Sequence, residues 1–355
     1  MKKAISVFFS TLFVGILACG TTTPRATPEP VPDTEASTVP EATSALRSNP
    51  VVQPEATLEQ TLLAPSRLRV VYVQDGNLWS WTEAGGSVQL TDSGDMSAVH
   101  LSADGQILAF VRGREVWTVR MDGKDARFLS TLNNDDGCAL WLSPDGSLLA
   151  VSTKDHIDVI DIDHVTSTTV VTYPTISDNY YPEVVWSPDG IGFKTVVPPQ
   201  ADMGQAELLF VFTDGTVASL AKFAMVQVSD SLPYISADGG YIIYVAKLDG
   251  DKESLYLMDS SGATRPYGES GENIRAYGWL PGSKQFVYGS ENSQPSYLGN
   301  IAAPPMALSV AFPAIVRWVN AEYYLALKNG KLTLRDLTGA NLLIGSGVTE
   351  FDFTF

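Results

Sequence analysis

The chain has 355 residues, 45% of them hydrophobic, with 29 glycines and 21 prolines, which is enough for one large core. A formal charge of −17 and a pI near 4.5 argue against a phosphate backbone as partner, so nucleic acid is not expected. Acidity of this size is ordinarily a solubility property, with a cation or a basic protein as the alternative partners.

The first 19 residues read as a targeting segment. Met1-Lys2-Lys3 is a basic start, and the apolar run 4–17 is too short to span a membrane comfortably. It ends in ILACG (16–20), which resembles a bacterial lipoprotein lipobox. That resemblance implies lipidation of Cys19 after cleavage, with the membrane as a partner through the lipid. Gly20 in place of aspartate implies, by the family's rule, that the inner membrane does not retain the protein. The periplasmic face of an outer membrane or the cell surface is then expected. An ordinary signal peptide that contains Cys19 is the alternative.

Residues 20–66 change composition. TTTPRATPEPVPDTEASTVPEATSA holds Thr, Pro, Glu and Ala with hardly any apolar clustering, and such a segment cannot bury a core. A disordered tether of this length spans about 40 Å as a random coil and about 140 Å in full polyproline extension. Its end, TLEQTLLA, is more apolar and suited either to docking on the folded head beyond residue 66 or to forming a helical turn. Beyond Cys19 the sequence holds one more cysteine, Cys138, at the start of an apolar run. No internal disulfide is expected, and a small buried hydrophobe is the expected role of this thiol.

From residue 67 onward one unit recurs. Ser143-Pro144-Asp145-Gly146 comes after an apolar run, with proline presetting a type I turn and glycine taking the left-handed position after it. The unit returns as Ser102-Ala103-Asp104-Gly105, Ser187-Pro188-Asp189-Gly190 and Ser236-Ala237-Asp238-Gly239, its glycines 41, 44 and 49 residues apart. A period of this length with several strands per unit predicts an all-β propeller. Before each turn lies an innermost strand, around Val99-His100-Leu101, Leu140-Trp141-Leu142, Val184-Val185-Trp186 and Pro233-Tyr234-Ile235, read as apolar on both sides as in a sheet stacked between two others. The strands after it read ILAFV, LLAVS and YIIYVA. A third strand alternates and ends in a turn signal, and a fourth, short one suits an outer edge.

Two degenerate units lie further on, at 275–290 and 314–339, and the first unit, 67–91, lacks its innermost strand. The C-terminal VTEFDFTF is expected to supply it, with Phe351, Phe353 and Phe355 on an apolar face and Glu350, Asp352 and Thr354 on a wet one. Seven four-stranded blades over 67–355 are expected, six or eight being the alternatives. WSPDG (186–190) and LYLMD (255–259) resemble the TolB-like, PD-type relatives of WD-repeat propellers, strongly over 97–262. The resemblance implies the fold. The family's namesake serves in envelope protein complexes and has an additional N-terminal domain not evident here, so the resemblance does not carry the task over.

The catalytic inventory is thin. His100 sits in a slot filled elsewhere by Trp141 and Tyr234 and is expected to pack; His156 and His164 bracket one strand, so a shared metal site is not expected. No nucleophile elbow, zinc-protease helix, P-loop or dinucleotide fingerprint is found, and no cofactor is expected. The acidic runs Asn133–Gly137 and Asp249–Glu253 fit solvated loops better than a calcium loop. The sequence predicts tight connections at one end of the blades and longer ones at the other, over 173–183, 198–207, 222–231 and 290–296. Tyr180, Tyr181, Met203, Phe223 and Met225 in those stretches are the candidate partner-binding residues, the alternative being that they plug the end of the core. The sequence thus points to a lipid-anchored, non-enzymatic binding or scaffold module. The other reading is a glycan- or peptide-directed hydrolase or lyase with its site at the axial opening.

Overall fold

The structure, a computed structural model, describes residues 64–133, 137–175, 181–199, 203–226, 233–247, 252–290, 293–313 and 315–355. Blade 1 contains β1 (Arg69–Gln74), β2 (Asn77–Thr82) and β3 (Gly86–Gln89). Blade 2 contains β4 (Met96–Leu101), β5 (Ile107–Arg112), β6 (Glu115–Arg120) and β7 (Arg127–Thr131). Blade 3 contains β8 (Ala139–Leu142), β9 (Leu148–Ser152), β10 (His156–Asp161) and β11 (Thr166–Thr172). Blade 4 contains β12 (Val185–Trp186), β13 (Gly192–Val197), β14 (Met203–Phe212) and β15 (Val217–Val226). Blade 5 contains β16 (Tyr234–Ile235), β17 (Tyr241–Ala246), β18 (Glu253–Asp259) and β19 (Thr264–Gly271). Blade 6 contains β20 (Ile274–Trp279), β21 (Gln285–Ser290), β22 (Ser296–Asn300) and β23 (Ala303–Leu308). Blade 7 contains β24 (Ile315–Trp318), β25 (Tyr323–Lys328), β26 (Lys331–Asp336) and β27 (Asn341–Ser346). The last strand, β28 (Val348–Thr354), returns to blade 1.

Each sheet is antiparallel and four-stranded, and blade 1 has the order β28-β1-β2-β3. The C-terminus therefore closes a seven-bladed propeller, pairing from Arg69↔Thr354 to Gln74↔Val348. The closing strand departs from its expected faces. Phe351 is buried and Phe353 half-buried, while Phe355 is exposed; Asp352 is buried, because it finds partners at the seam.

The core is a set of slabs between neighbouring blades, and it buries both faces of second strands such as β5 and β17, whereas the innermost strands β4 and β8, where the sequence reading places double burial, are only partly buried beside the axis. In β1, Val71 and Val73 pack toward blade 2, whereas Val70 and Tyr72 pack toward blade 7. In β17, Ile242 and Tyr244 face blade 4 while Ile243 and Val245 face blade 6. Cys138 is buried in the slab between blades 2 and 3.

The repeated turn has a part that proline and glycine alone do not reveal. Ser143 Oγ donates to Asp145 at 2.7 Å and accepts the Leu148 N–H at 2.9 Å, while Gly146, at φ 72°, donates to the Ser143 carbonyl at 2.9 Å. Ser102, Ser187 and Ser236 repeat the arrangement, and the serine hydroxyl is the main cause holding Asp104, Asp145, Asp189 and Asp238 below the usual carboxylate range.

The expected loop asymmetry is narrower than the sequence suggests. At the end expected to be elaborate, β1–β2, β5–β6 and β25–β26 are joined by two-residue turns, Asp75-Gly76, Gly113-Arg114 and Asn329-Gly330. Stretches 198–207 and 222–231 also lose much of their loop character, because β14 and β15 run on as a paired ladder from Met203↔Val226 to Glu207↔Lys222 and beyond. A cross-strand ion pair, Lys222 Nζ to Glu207 Oε1 at 3.6 Å, and the buried Ala206, Phe223 and Met225 make extension favourable there. The longest connection that remains at this end is 173–184, between blades 3 and 4; 132–138 and 227–233 have seven residues each and 90–95, 247–252 and 309–314 six, so the others are spread around the ring.

Candidate functional site

The innermost strands β28, β4, β8, β12, β16, β20 and β24 are each bonded to one neighbour, so their other edge faces the axis with unpaired N–H and C=O groups. Side chains from adjacent blades meet that demand. Asp352 Oδ2 accepts the Leu101 N–H at 2.7 Å, and its Oδ1 accepts from Arg317 at 2.8 Å. His100 Nδ1 accepts the Leu142 N–H at 3.3 Å. Glu350 accepts from Ala98 and Val99, and Glu183 from Ile235. Indoles serve the carbonyls: Trp186 Nε1 donates to Trp141 O at 3.0 Å, Trp279 to Tyr234 O at 2.9 Å and Trp318 to Tyr277 O at 3.1 Å.

Arg317 stands at the electrical centre of this ring, because its charge acts on Glu183, Glu350, His100 and Tyr234, from four other blades. Crowding by protein dominates each titration nonetheless. Burial lowers His100, against the raising effect of Asp352; with Nδ1 accepting an amide, the imidazole is assigned as neutral with its proton on Nε2. Crowding by protein pushes Glu183 up to about 7, offset in part by Arg317 and the Ile235 N–H, although the residue keeps partial exposure to water. Glu350 is raised in the same way, although water still reaches it along the axis. Burial, and then Glu183, pushes Tyr234 up to about 12.

The predicted site residues do not come together. Cys19 and Tyr180 lie outside the described residues. Tyr181 is half-buried, and a β-carbon on Gly137 would come within 2.7 Å of its hydroxyl. Met203 opens β14, with its side chain outside the described set. Phe223 and Met225 correct the sequence reading. Each is 4% exposed, packed between blades 4 and 5, with the Phe223 ring 4.5 Å from that of Tyr244, so neither is available to a partner. Their alternation with exposed Lys222 and Ala224 is the strand signal that a loop reading of 222–231 passes over.

His156 opens β10 and His164 lies in the turn beyond its far end, each held by its own neighbours. His156 Nδ1 meets Asp155 Oδ1 at 2.5 Å, and His164 Nδ1 meets Asp161 Oδ2 at 2.9 Å. Among the described residues, no group of three His, Cys, Asp or Glu side chains is placed to hold a metal ion. At the start of the 173–184 connection, Asp155, His156, Thr172, Tyr173 and Pro174 help line an open depression of about 490 Å³. The acidic stretches 133–137 and 249–253 fall largely outside the described residues; of them, Glu253 is buried with Lys247 3.7 Å away.

No protein-family model and no curated protein matches this sequence. Solved structures do. An oligogalacturonate lyase in complex with manganese is 13% identical over 78% of this chain and 83% of its own, with a TM-score of 0.55. A dihydro-heme d1 dehydrogenase is 13% identical over 82% of this chain and 76% of its own, with a TM-score of 0.50. TolB from Acinetobacter baumannii is 12% identical over 81% of this chain and 82% of its own, with a TM-score of 0.47. At these identities the likeness shows the fold alone. The chain is a seven-bladed β-propeller, similar to TolB-like propellers at low identity, of an architecture shared by binding modules and enzymes.

Proposed function

We propose that this protein is a non-enzymatic protein-binding or scaffold propeller of the bacterial cell envelope, anchored through a lipid on Cys19 and held off the membrane by the tether 20–66. One observation carries the binding reading. The polar side chains of the axial ring hold the exposed edges of neighbouring inner strands, so using Asp352 or His100 as an acid or base would release a backbone amide. The longest connection, 173–184, by contrast, starts beside the depression at Tyr173. The anchor rests on the lipobox resemblance, and Cys19→Ser tests it: the variant should turn soluble or persist as an unprocessed precursor.

A hydrolase or lyase acting on glycan or peptide at the axial opening is the second reading. The proton affinity of Glu183 near neutrality favours it, since a general acid or base works best there. Photo-crosslinkers at Thr175 and, as control, at Asp214 on the opposite end separate the two. A discrete partner crosslinked from Thr175 alone supports the binding module. Turnover of a glycan or peptide substrate that is lost in Glu183→Gln supports the enzyme and overturns the scaffold.

A further inference from the structure

The outermost strand of each blade pairs on one side only, so its other edge is a row of backbone donors and acceptors open to a further strand. Most of these edges are guarded. Prolines interrupt β19, at Pro266, and β23, at Pro304 and Pro305, and the Ile344 carbonyl of β27 accepts from Ser87 of blade 1 at 3.1 Å. β3 has four residues, and bulges break the ladders of β7 and β11. β15 is built otherwise. Beyond its own bulge at Leu220 it runs six pairs without a break, from Leu208↔Ala221 to Met203↔Val226, whereas no other outer ladder among the described strands exceeds four. It contains no proline, and its single charge, Lys222, is turned to Glu207 of its own sheet at 3.6 Å. Phe223 and Met225 anchor the strand in the slab, while Lys222 and Ala224 are exposed.

We propose that the outer edge of 221–226 takes up an extended segment of a partner protein as a further strand of blade 4, a segment free of acidic residues. This mode of capture rests on the protein-binding reading above. Phe212 N–H donates to the Thr216 carbonyl at 2.8 Å, which sets the alternation of the ladder. With Leu220 as the extra residue, the N–H and C=O groups of Lys222 and Ala224 then turn away from β14. Backbone bonds to those groups supply affinity for an extended chain, and side chains passing the exposed Leu220, Lys222 and Ala224 set its preference. Charge decides the kind of segment. A net −17 repels an acidic strand and disfavours a second copy of this chain, whereas a neutral or basic segment meets no such barrier.

Amide-resolved hydrogen exchange on the full-length chain tests this, with the capped peptide acetyl-KTVTVTK-amide as the probe. At about ten times its Kd the peptide should slow exchange at Lys222 and Ala224 about tenfold and leave the proline-bearing edges β19 and β23 unchanged. The same peptide methylated at every backbone nitrogen cannot pair and should protect nothing, and acetyl-ETVTVTE-amide should bind more weakly. Ala224→Pro removes an outward N–H and should abolish protection at Lys222; the methylated peptide carries the test if that variant fails to fold. No protection at β15, or equal protection at β11 or from the methylated peptide, overturns strand addition. A dimer seen by sedimentation without peptide, and dissolved by Ala224→Pro, would give the edge to a second copy and overturn the proposal as well. A partner crosslinked from Thr175 while β15 stays unprotected would keep the binding module and sink only this mode of capture.

Discussion

The seam where the ring closes and the sector spanning blades 4 and 5 use the same four-strand unit to different ends. At the seam, β28 is seven residues long and pairs along the whole of β1, while Asp352 links blade 1 to both blade 2 and blade 7. In blade 4 the inner strand shrinks to two residues, and β14 and β15 grow to ten each. Pairing has moved from the axis to the rim. A propeller holds its ring by slabs between blades, so an inner ladder can shorten without loss of closure provided the slab stays intact. The slab between blades 4 and 5 does, with Phe223, Met225, Tyr244 and Met258 all buried in it.

The largest break in this comparison is to remove the seam. Deleting 348–355 takes away the buried Val348 and Phe351 and the ladder to β1, and leaves the first blade with an open inner edge. Two apolar side chains at about 1.5–3 kcal/mol each, and six strand pairs at about 0.5–1.5 kcal/mol per hydrogen bond, approach the whole stability of a typical domain. The truncated protein should aggregate or be cut rapidly by protease. Unchanged melting would show that β28 is dispensable and that closure resides in the slabs alone.

A smaller cut tests the seam's polar stitch. Asp352→Ala strands the Leu101 N–H and removes the carboxylate that holds Arg317, which should lower stability by about 3 kcal/mol. Asp352→Asn keeps one acceptor and should recover part of the loss. The readout is denaturant unfolding at pH 7; equal midpoints for the alanine variant and the wild type would show the stitch to be inert.

Much of this architecture is legible in the sequence, and the reasons are local. The Ser-x-Asp-Gly turn repeats because each blade must turn tightly, whereas the double burial read for the innermost strand falls on second strands such as β5 and β17, which lie between two slabs. The alternation in VTEFDFTF marks a strand without a partner of its own. The axial ring is not legible in the same way. Glu183, Arg317 and Asp352 come from three blades far apart in sequence, and only ring closure brings their charges together. The reading of 222–231 as a loop misses for a similar reason: Phe223 and Met225 are strand residues because Tyr244, in the next blade, completes their surroundings.

The finest test compares one turn in the two kinds of blade. Ser143 in blade 3 and Ser236 in blade 5 make matching bonds: each donates to its aspartate, at 2.7 and 2.6 Å, and each accepts a backbone N–H at 2.9 Å. Replacing either by alanine removes the same two bonds from a buried site and should cost about 1 kcal/mol, or roughly 2 °C in melting temperature for a domain of this size. The route of the loss should differ. Ser143 joins β8, with four pairs to β9, so its loss is shared by a cooperative ladder and should appear as a change in global melting. Ser236 joins β16, with two pairs to β17, so the turn makes up a larger share of what holds that strand. Ser236→Ala should therefore speed amide exchange at Ile235 and Ile243 well before the molecule melts, and Ser143→Ala should not do so at Leu140 and Val151. Equal local effects in the two blades would mean that inner-strand length does not set local stability, and the contrast between seam and sector would lose its physical basis.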